Sequence, residues 1–213
     1  MGAVRKSFKD YLDKTFLEEL NYKIWSTKGA RFKASERLLH VAHLSNVCTS
    51  MLSVYLIVVG LFSVYNINSA AELDLNLIAY STTSLSILIL VFGQIENAKD
   101  FKMKAIQFHR CGLELGSIYN ELRIFKTLEK EPTLEEKKHF AKSISDKYDK
   151  ILERYDNHDS IDHDKFKITK AEYHELNWFN VLSIRFVYYI KTSLIYHFLI
   201  LFPPVLIFIL MVY

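Results

Sequence analysis

Between Leu38 and Ala71 the chain carries no Asp, Glu, Lys or Arg, and after Glu72 and Asp74 the run from Leu75 to Ile95 is again free of all four. Each run supplies about 20 predominantly apolar residues. As helix, at about 1.5 Å per residue, that is enough to cross a hydrocarbon core of about 30 Å. The residues between them, 66–74, are short and polar. The pattern predicts a transmembrane helical hairpin over 41–95, with spans at 43–65 and 75–95.

Half of the 213 residues are hydrophobic, but they concentrate in 41–95 and 192–213, which argues against a single soluble core. The net charge of +3 is too modest to argue for nucleic-acid binding, and none is expected. Its distribution says more. Residues 1–40 carry nine of the 27 Lys and Arg, the hairpin none, and 96–191 the other eighteen. By the positive-inside rule, the N-terminal region and 96–191 are expected in the cytoplasm, with loop 66–74 on the far side.

In 4–25, Phe8, Leu12, Phe16, Leu20 and Ile24 recur every four residues, with Tyr11 and Leu17 beside them. This predicts an amphipathic helix, which would pack on other cytoplasmic helices or lie on the membrane surface. Gly29 is expected to end or break it, with a second helix starting near Ala30 and running into the first span. Lys28, Arg31, Lys33 and Arg37 then form a basic collar just before the bilayer. One reading is topology and phospholipid contact. The other is a site for an anionic ligand or for the acidic surface of a partner.

On the first span Ser45, Thr49, Ser53, Gly60 and Ser63 share one arc, edged by Asn46 and Ser50. On the second, Ala79, Thr82, Ser86 and Gly93 form a similar stripe. Small and hydroxylated residues let membrane helices approach closely. They would serve either as helix–helix packing or, in an assembled oligomer, as the lining of a polar path. The lack of Asp, Glu, Lys and Arg within either span disfavours a proton pump or an ion-coupled transporter. A single hairpin cannot enclose water, so a pore would require self-association.

The second span is expected to continue out of the membrane as one helix, with a seam of Ala98, Phe101, Ala105, Phe108, Gly112, Leu115, Ile118, Leu122 and Phe125. The break at 129–136 contains Thr133 and Glu136 at capping-box spacing. A second seam follows, through Leu134, Ala141, Ile144, Tyr148, Ile151 or Leu152, and Tyr155. The two helices together suggest an antiparallel cytoplasmic hairpin. Residues 157–164 crowd His158, Asp159, His163 and Asp164 into one stretch with no second cluster, so it reads as a solvated acidic loop rather than a metal site. No catalytic residue, metal site or cofactor is expected, and Cys48 and Cys111 read as packed thiols.

From Lys170 to Lys191 a helical pattern carries Trp178 and the Tyr188-Tyr189 pair, suited to the membrane–water interface. The final stretch, 192–213, is free of Asp, Glu, Lys and Arg, and its length permits a third crossing. Pro203-Pro204 would kink or break it midway, which leaves a re-entrant segment as the alternative. The expected fold is therefore an all-α membrane protein: a transmembrane hairpin continuous with a cytoplasmic helical bundle, plus a C-terminal hydrophobic helix as a candidate third span.

Trp25, the Lys28-Gly-Ala-Arg-Phe-Lys-Ala segment and Arg37-Leu38 lead directly into the hairpin, and a long cytoplasmic helix and a terminal hydrophobic segment follow. In these features the whole chain resembles the SLATT domain, the two-transmembrane effector associated with SMODS nucleotidyltransferases and SLOG proteins. It is most similar to the fifth SLATT subfamily, which also occurs beside reverse transcriptases. The resemblance implies a bacterial anti-phage role at the inner membrane, as a homo-oligomer that breaches the bilayer. Its signal would come from a nucleotidyltransferase, a nucleotide sensor or a reverse transcriptase. It supplies no catalytic residue. A membrane-anchored scaffold is the competing reading.

Overall fold

The computed structural model describes Lys9 and residues 15–65 and 75–212. The predicted loop 66–74, the early apolar residues Phe8, Tyr11 and Leu12, and the Ser63 side chain lie outside what is described. Among the described residues every regular element is helical: α1 (Phe16–Tyr65), α2 (Leu75–Ala98), α3 (Phe101–Leu128), α4 (Leu134–Glu153), α5 (Ser160–Ile168), α6 (Trp178–Thr192) and α7 (Leu194–Val212).

The helices divide into two compact units, Met1–Leu39 with Lys102–Tyr189, and His40–Phe101 with Ile190–Tyr213. The first is built on α1, α3 and α4. Leu20 and Ile24 of α1 meet Cys111, Leu115, Ile118 and Leu122 of α3 and Ile144, Tyr148 and Ile151 of α4. Burial of each aliphatic side chain of this kind contributes about 1.5–3 kcal/mol. The α3–α4 hairpin is closed by the capping box that the sequence predicts. The Thr133 hydroxyl accepts from the Glu136 amide, and the Glu136 carboxylate accepts from the Thr133 amide at 2.7 Å. Phe125 and Phe140 stack beneath it at 3.9 Å. Leu134, placed by its spacing in the α4 seam, instead points outward at 79% exposure.

In the second unit, Val41, Leu44, Cys48 and Leu52 of α1 pack with Tyr196 of α7, and Ile89 and Phe92 of α2 lie against them. Large apolar side chains on α2, among them Tyr80, Leu88 and Leu90, face outward. The α1 segment Phe16–Leu61 is long and apolar enough to cross a membrane. The pair α6 and α7, bent by 64° at their junction, meets the same criterion if taken as one broken span.

Three boundaries differ from expectation, each for an identifiable reason. α1 runs through Gly29 without a break; the glycine is there for contact, not for a turn. An added Cβ would stand 2.1 Å from the Phe166 ring of α5. The predicted single helix through residue 98 is two helices, since Asp100 takes a left-handed conformation (φ 50°) and ends α2. Finally, α7 continues through Pro203 and Pro204, and the bend lies at Ser193 instead.

Candidate functional site

The basic collar residues fall on successive turns of α1 but do not form a common outward surface. Lys33 is the outward one, in an ion pair with Glu36 at 2.7 Å. Lys28 lies 4.3 Å above the Tyr119 ring, and burial pushes its ammonium below the usual lysine value. Arg31 is fully buried. It donates to the Asp156 carbonyl and, at 3.4 Å, to the Asn157 side chain, and its guanidinium lies over the Phe108 ring. Arg37 forms a two-pronged pair with Asp162, Nε to Oδ1 at 2.6 Å and Nη2 to Oδ2 at 2.8 Å. Burial works against the Arg37 charge, but the bonds and charge of Asp162 outweigh it and hold its pKa above the ordinary arginine value.

These contacts explain the structure of 157–164. Residues 157–159 are a short loop and 160–164 are the first turn of α5, so only the first part of the stretch is the solvated loop expected. Asp159 is the N-cap and accepts from the Ile161 amide at 3.1 Å, while Asp162 reaches back to the Asp159 amide at 3.2 Å. The Asp159-x-x-Asp162 spacing is the capping-box arrangement with a shorter acid, and it was legible in the sequence. Asp162 thus caps its own helix and neutralises Arg37 at the same time. His158 and His163 are pushed below the usual histidine value by burial, with Arg31 adding to the effect at His158 and Lys167 at His163. His174, among Trp25, Phe166 and Tyr173, is lowered to about 4 by burial and the nearby Lys167 and His163. Arg31 Nε and His158 Nδ1 are buried without a hydrogen-bond partner among the described residues. The same residues contain no group of three or more His, Cys, Asp or Glu able to hold a metal ion. Both thiols are free and buried.

The small-residue faces satisfy their hydroxyls largely within their own helices. Thr49 donates to the Ser45 carbonyl at 3.0 Å and Ser53 to that of Thr49 at 2.9 Å. On α2, Thr82 donates to the Ala79 carbonyl and Ser86 to that of Thr82. The faces meet in one place, where Gly93 lies so close to Thr49 that an added Cβ would be 3.9 Å from the threonine methyl. No side chain among the described residues lies within 4 Å of a Cβ added at Gly60.

Two polar links here were not anticipated. Glu96, the first charge after the apolar run of α2, is buried and accepts from Tyr196 of α7 at 2.7 Å and from Lys99, with Ser45 of α1 a further partner. One carboxylate therefore joins three helices. Higher up, Tyr55 of α1 donates to the Ile200 carbonyl of α7 at 2.8 Å. In a regular helix that carbonyl would accept from the residue four positions on, which is Pro204 and has no N–H. The tyrosine replaces the donor that the proline removes.

An all-helical protein with one apolar helix of membrane-crossing length, a bent apolar pair that meets the criterion as one span, and polar groups satisfied between helices is of the helical membrane class. The chain belongs to the SMODS and SLOG-associating 2TM effector domain family 5, whose model matches residues 13–210, nearly its full length. Comparison with curated proteins and with solved structures gives no match.

Proposed function

We propose that this protein is the membrane effector of a bacterial anti-phage system, which on activation self-associates through its hairpins and breaches the inner membrane, arresting the infected cell. The family's description as a two-transmembrane effector associated with SMODS and SLOG proteins supports the effector role and a partner that makes or senses a nucleotide. The carrying observation is α1. One helix of 50 residues supplies core side chains to both units, Leu20 and Ile24 to one and Leu44, Cys48 and Leu52 to the other. A signal that shifts α1 in the first unit would displace Ser45, Thr49 and Ser53 in the second and change which face meets a neighbouring hairpin. The positive-inside distribution favours a cytoplasmic N-terminus, with α2 and α7 as further crossings.

The test is expression with the genetic neighbours under infection, with membrane potential and dye entry recorded. Depolarisation before lysis is expected. Growth arrest with an intact potential would refute membrane breach.

A scaffold reading draws on a different feature, a groove of about 910 Å³ between the start of α1 and the α3–α4 hairpin, lined by Phe16, Leu17, Phe125, Pro132, Leu134 and Ala141. Such a surface suits recruitment of a cytoplasmic partner. Replacing the hairpin with an unrelated one separates the readings: a scaffold keeps its activity and a pore former loses it.

A further inference from the structure

α6 has a face that no described residue of its own unit covers. Val181, Ile184, Tyr188 and Thr192 are its less exposed or buried positions, a stripe at three- and four-residue spacing. At about 100° per residue, Trp178, Phe179, Leu182, Phe186 and Ile190 spread over the other half of the circumference. Trp178 is 75% exposed, Phe179 63% and Phe186 62%. Arg185 borders this half on one side and Asn180 and Lys191 on the other, and the helix contains no acidic residue. Lys165 stands close enough to Arg185 and to Lys33, itself paired with Glu36, that both cations add to burial in lowering its pKa, with Glu36 acting the other way.

A soluble helix does not leave five large apolar side chains to water, since each would contribute on the order of 1.5–3 kcal/mol on burial. The chemistry of the borders selects the occupant. A half-cylinder of apolar and aromatic side chains edged by cations and free of acids is the composition of a helix lying in the lipid–water boundary. Trp and Tyr are the side chains that settle at headgroup depth. Chain continuity points the same way. α6 passes into the predominantly apolar α7 through Ser193 alone, with a bend of 64°. A sharp bend is what a chain needs to turn from lying along a membrane to entering it.

We infer that α6 is an in-plane membrane helix, seated in the cytoplasmic lipid–water boundary by Trp178, Phe179, Leu182, Phe186 and Ile190 and flanked by cations suited to phospholipid headgroups. This rests on α7 entering the membrane, and not on whether the protein forms a pore.

Depth measurement with nitroxide labels tests it. Phe179→Cys, Phe186→Cys and Ile190→Cys place labels at nearly one angle around α6 but spread over about 16 Å of its length. Leu88→Cys on α2 serves as the bilayer-inserted reference, and the buried native thiols leave the background low. In phosphatidylethanolamine–phosphatidylglycerol vesicles, accessibility to oxygen and to an aqueous nickel chelate gives each label's depth. The expected result is one shared, shallow depth for the three α6 labels and a deeper one for residue 88. A depth that increases along α6 by most of that 16 Å would make it part of a span and overturn the proposal. Full nickel accessibility would overturn it by leaving the face in water. Shielding from both relaxants, with dipolar broadening between chains, would overturn it in favour of a second copy as occupant. An aqueous residue 88 would instead refute the membrane placement itself.

Discussion

Gly29→Ala sets two opposing effects against each other at the contact between α1 and α5. Alanine is favoured over glycine by about 1 kcal/mol in a helix interior, so a free helix would gain from the change. Here the new methyl would stand 2.1, 2.2 and 2.6 Å from Cε2, Cδ2 and Cζ of Phe166. Ordinary carbon contacts are about 3.5–4.0 Å, so the ring must retreat by about 1.5 Å. It has little room, being buried with its centroid 4.8 Å from that of Trp25 and 6.3 Å from that of His174. Overpacking of this kind costs about 1–3 kcal/mol and occasionally more, which exceeds the propensity gain. We expect a net loss of about 1–2 kcal/mol. In the full chain in lipid nanodiscs, followed by tryptophan fluorescence, that is a fall in Tm of several degrees. Phe166→Leu alone also destabilises, but the double variant should lose at least about 1 kcal/mol less than the sum, because the smaller side chain admits the methyl. A raised Tm for Gly29→Ala, or strict additivity in the double variant, would refute the claim that this glycine exists for the contact.

At Arg37 and Asp162, either Arg37→Ala or Asp162→Ala strands a buried charge and should cost about 3–5 kcal/mol, whereas Arg37→Met with Asp162→Leu should recover most of it. Equal losses in the single and double variants by thermal unfolding would rule out the pair as the cause. Acid should also weaken the first unit. The unfolded chain binds a proton at His174 near pH 6.5 and the folded one only near 4, so this contribution is complete above about pH 6.5 and is lost as pH falls towards 4. His174→Phe should flatten the pH dependence of Tm across that window, and an unchanged slope would count against it.

The features legible in the sequence were those written in local patterns. The charge-free runs, the α3 seam through Leu115, Ile118 and Leu122, and the Thr133–Glu136 cap depend on neighbours within a turn or two, and each reappears in the structure. Others depend on a distant partner. Gly29 looks like a helix breaker unless Phe166 is known to lie against it. Arg31 and Arg37 look like a membrane collar because nothing in their own stretch shows Asp156, Asn157 and Asp162 arriving from some 125 positions away. For the same reason Glu96 reads as the end of a span, although Tyr196 makes it a junction. The family resemblance foresaw the class of protein but assigned no role to these residues.

Tyr55 and Pro204 show how the apolar C-terminal helix tolerates its prolines, and they allow a decisive cycle. An unpaired carbonyl in apolar surroundings costs on the order of 1–3 kcal/mol, and a bilayer offers no water to relieve it. Tyr55→Phe removes the donor 2.8 Å from the Ile200 carbonyl while keeping the ring in its place against Cys48, Leu52 and their neighbours. It should therefore destabilise the second unit by about that amount. Pro204→Ala restores an N–H four residues beyond Ile200, so the carbonyl regains its helical bond and the tyrosine hydroxyl becomes dispensable there. In the Pro204→Ala background, Tyr55→Phe should cost little, giving a coupling of about 1–2 kcal/mol in SDS-driven unfolding from mixed micelles. An equal cost of Tyr55→Phe in both backgrounds would mean that the hydroxyl does not act through the missing proline donor. If the coupling is found, the double proline is also a means of attachment. By withholding a donor it obliges α7 to take one from α1, the helix through which an activating signal would arrive.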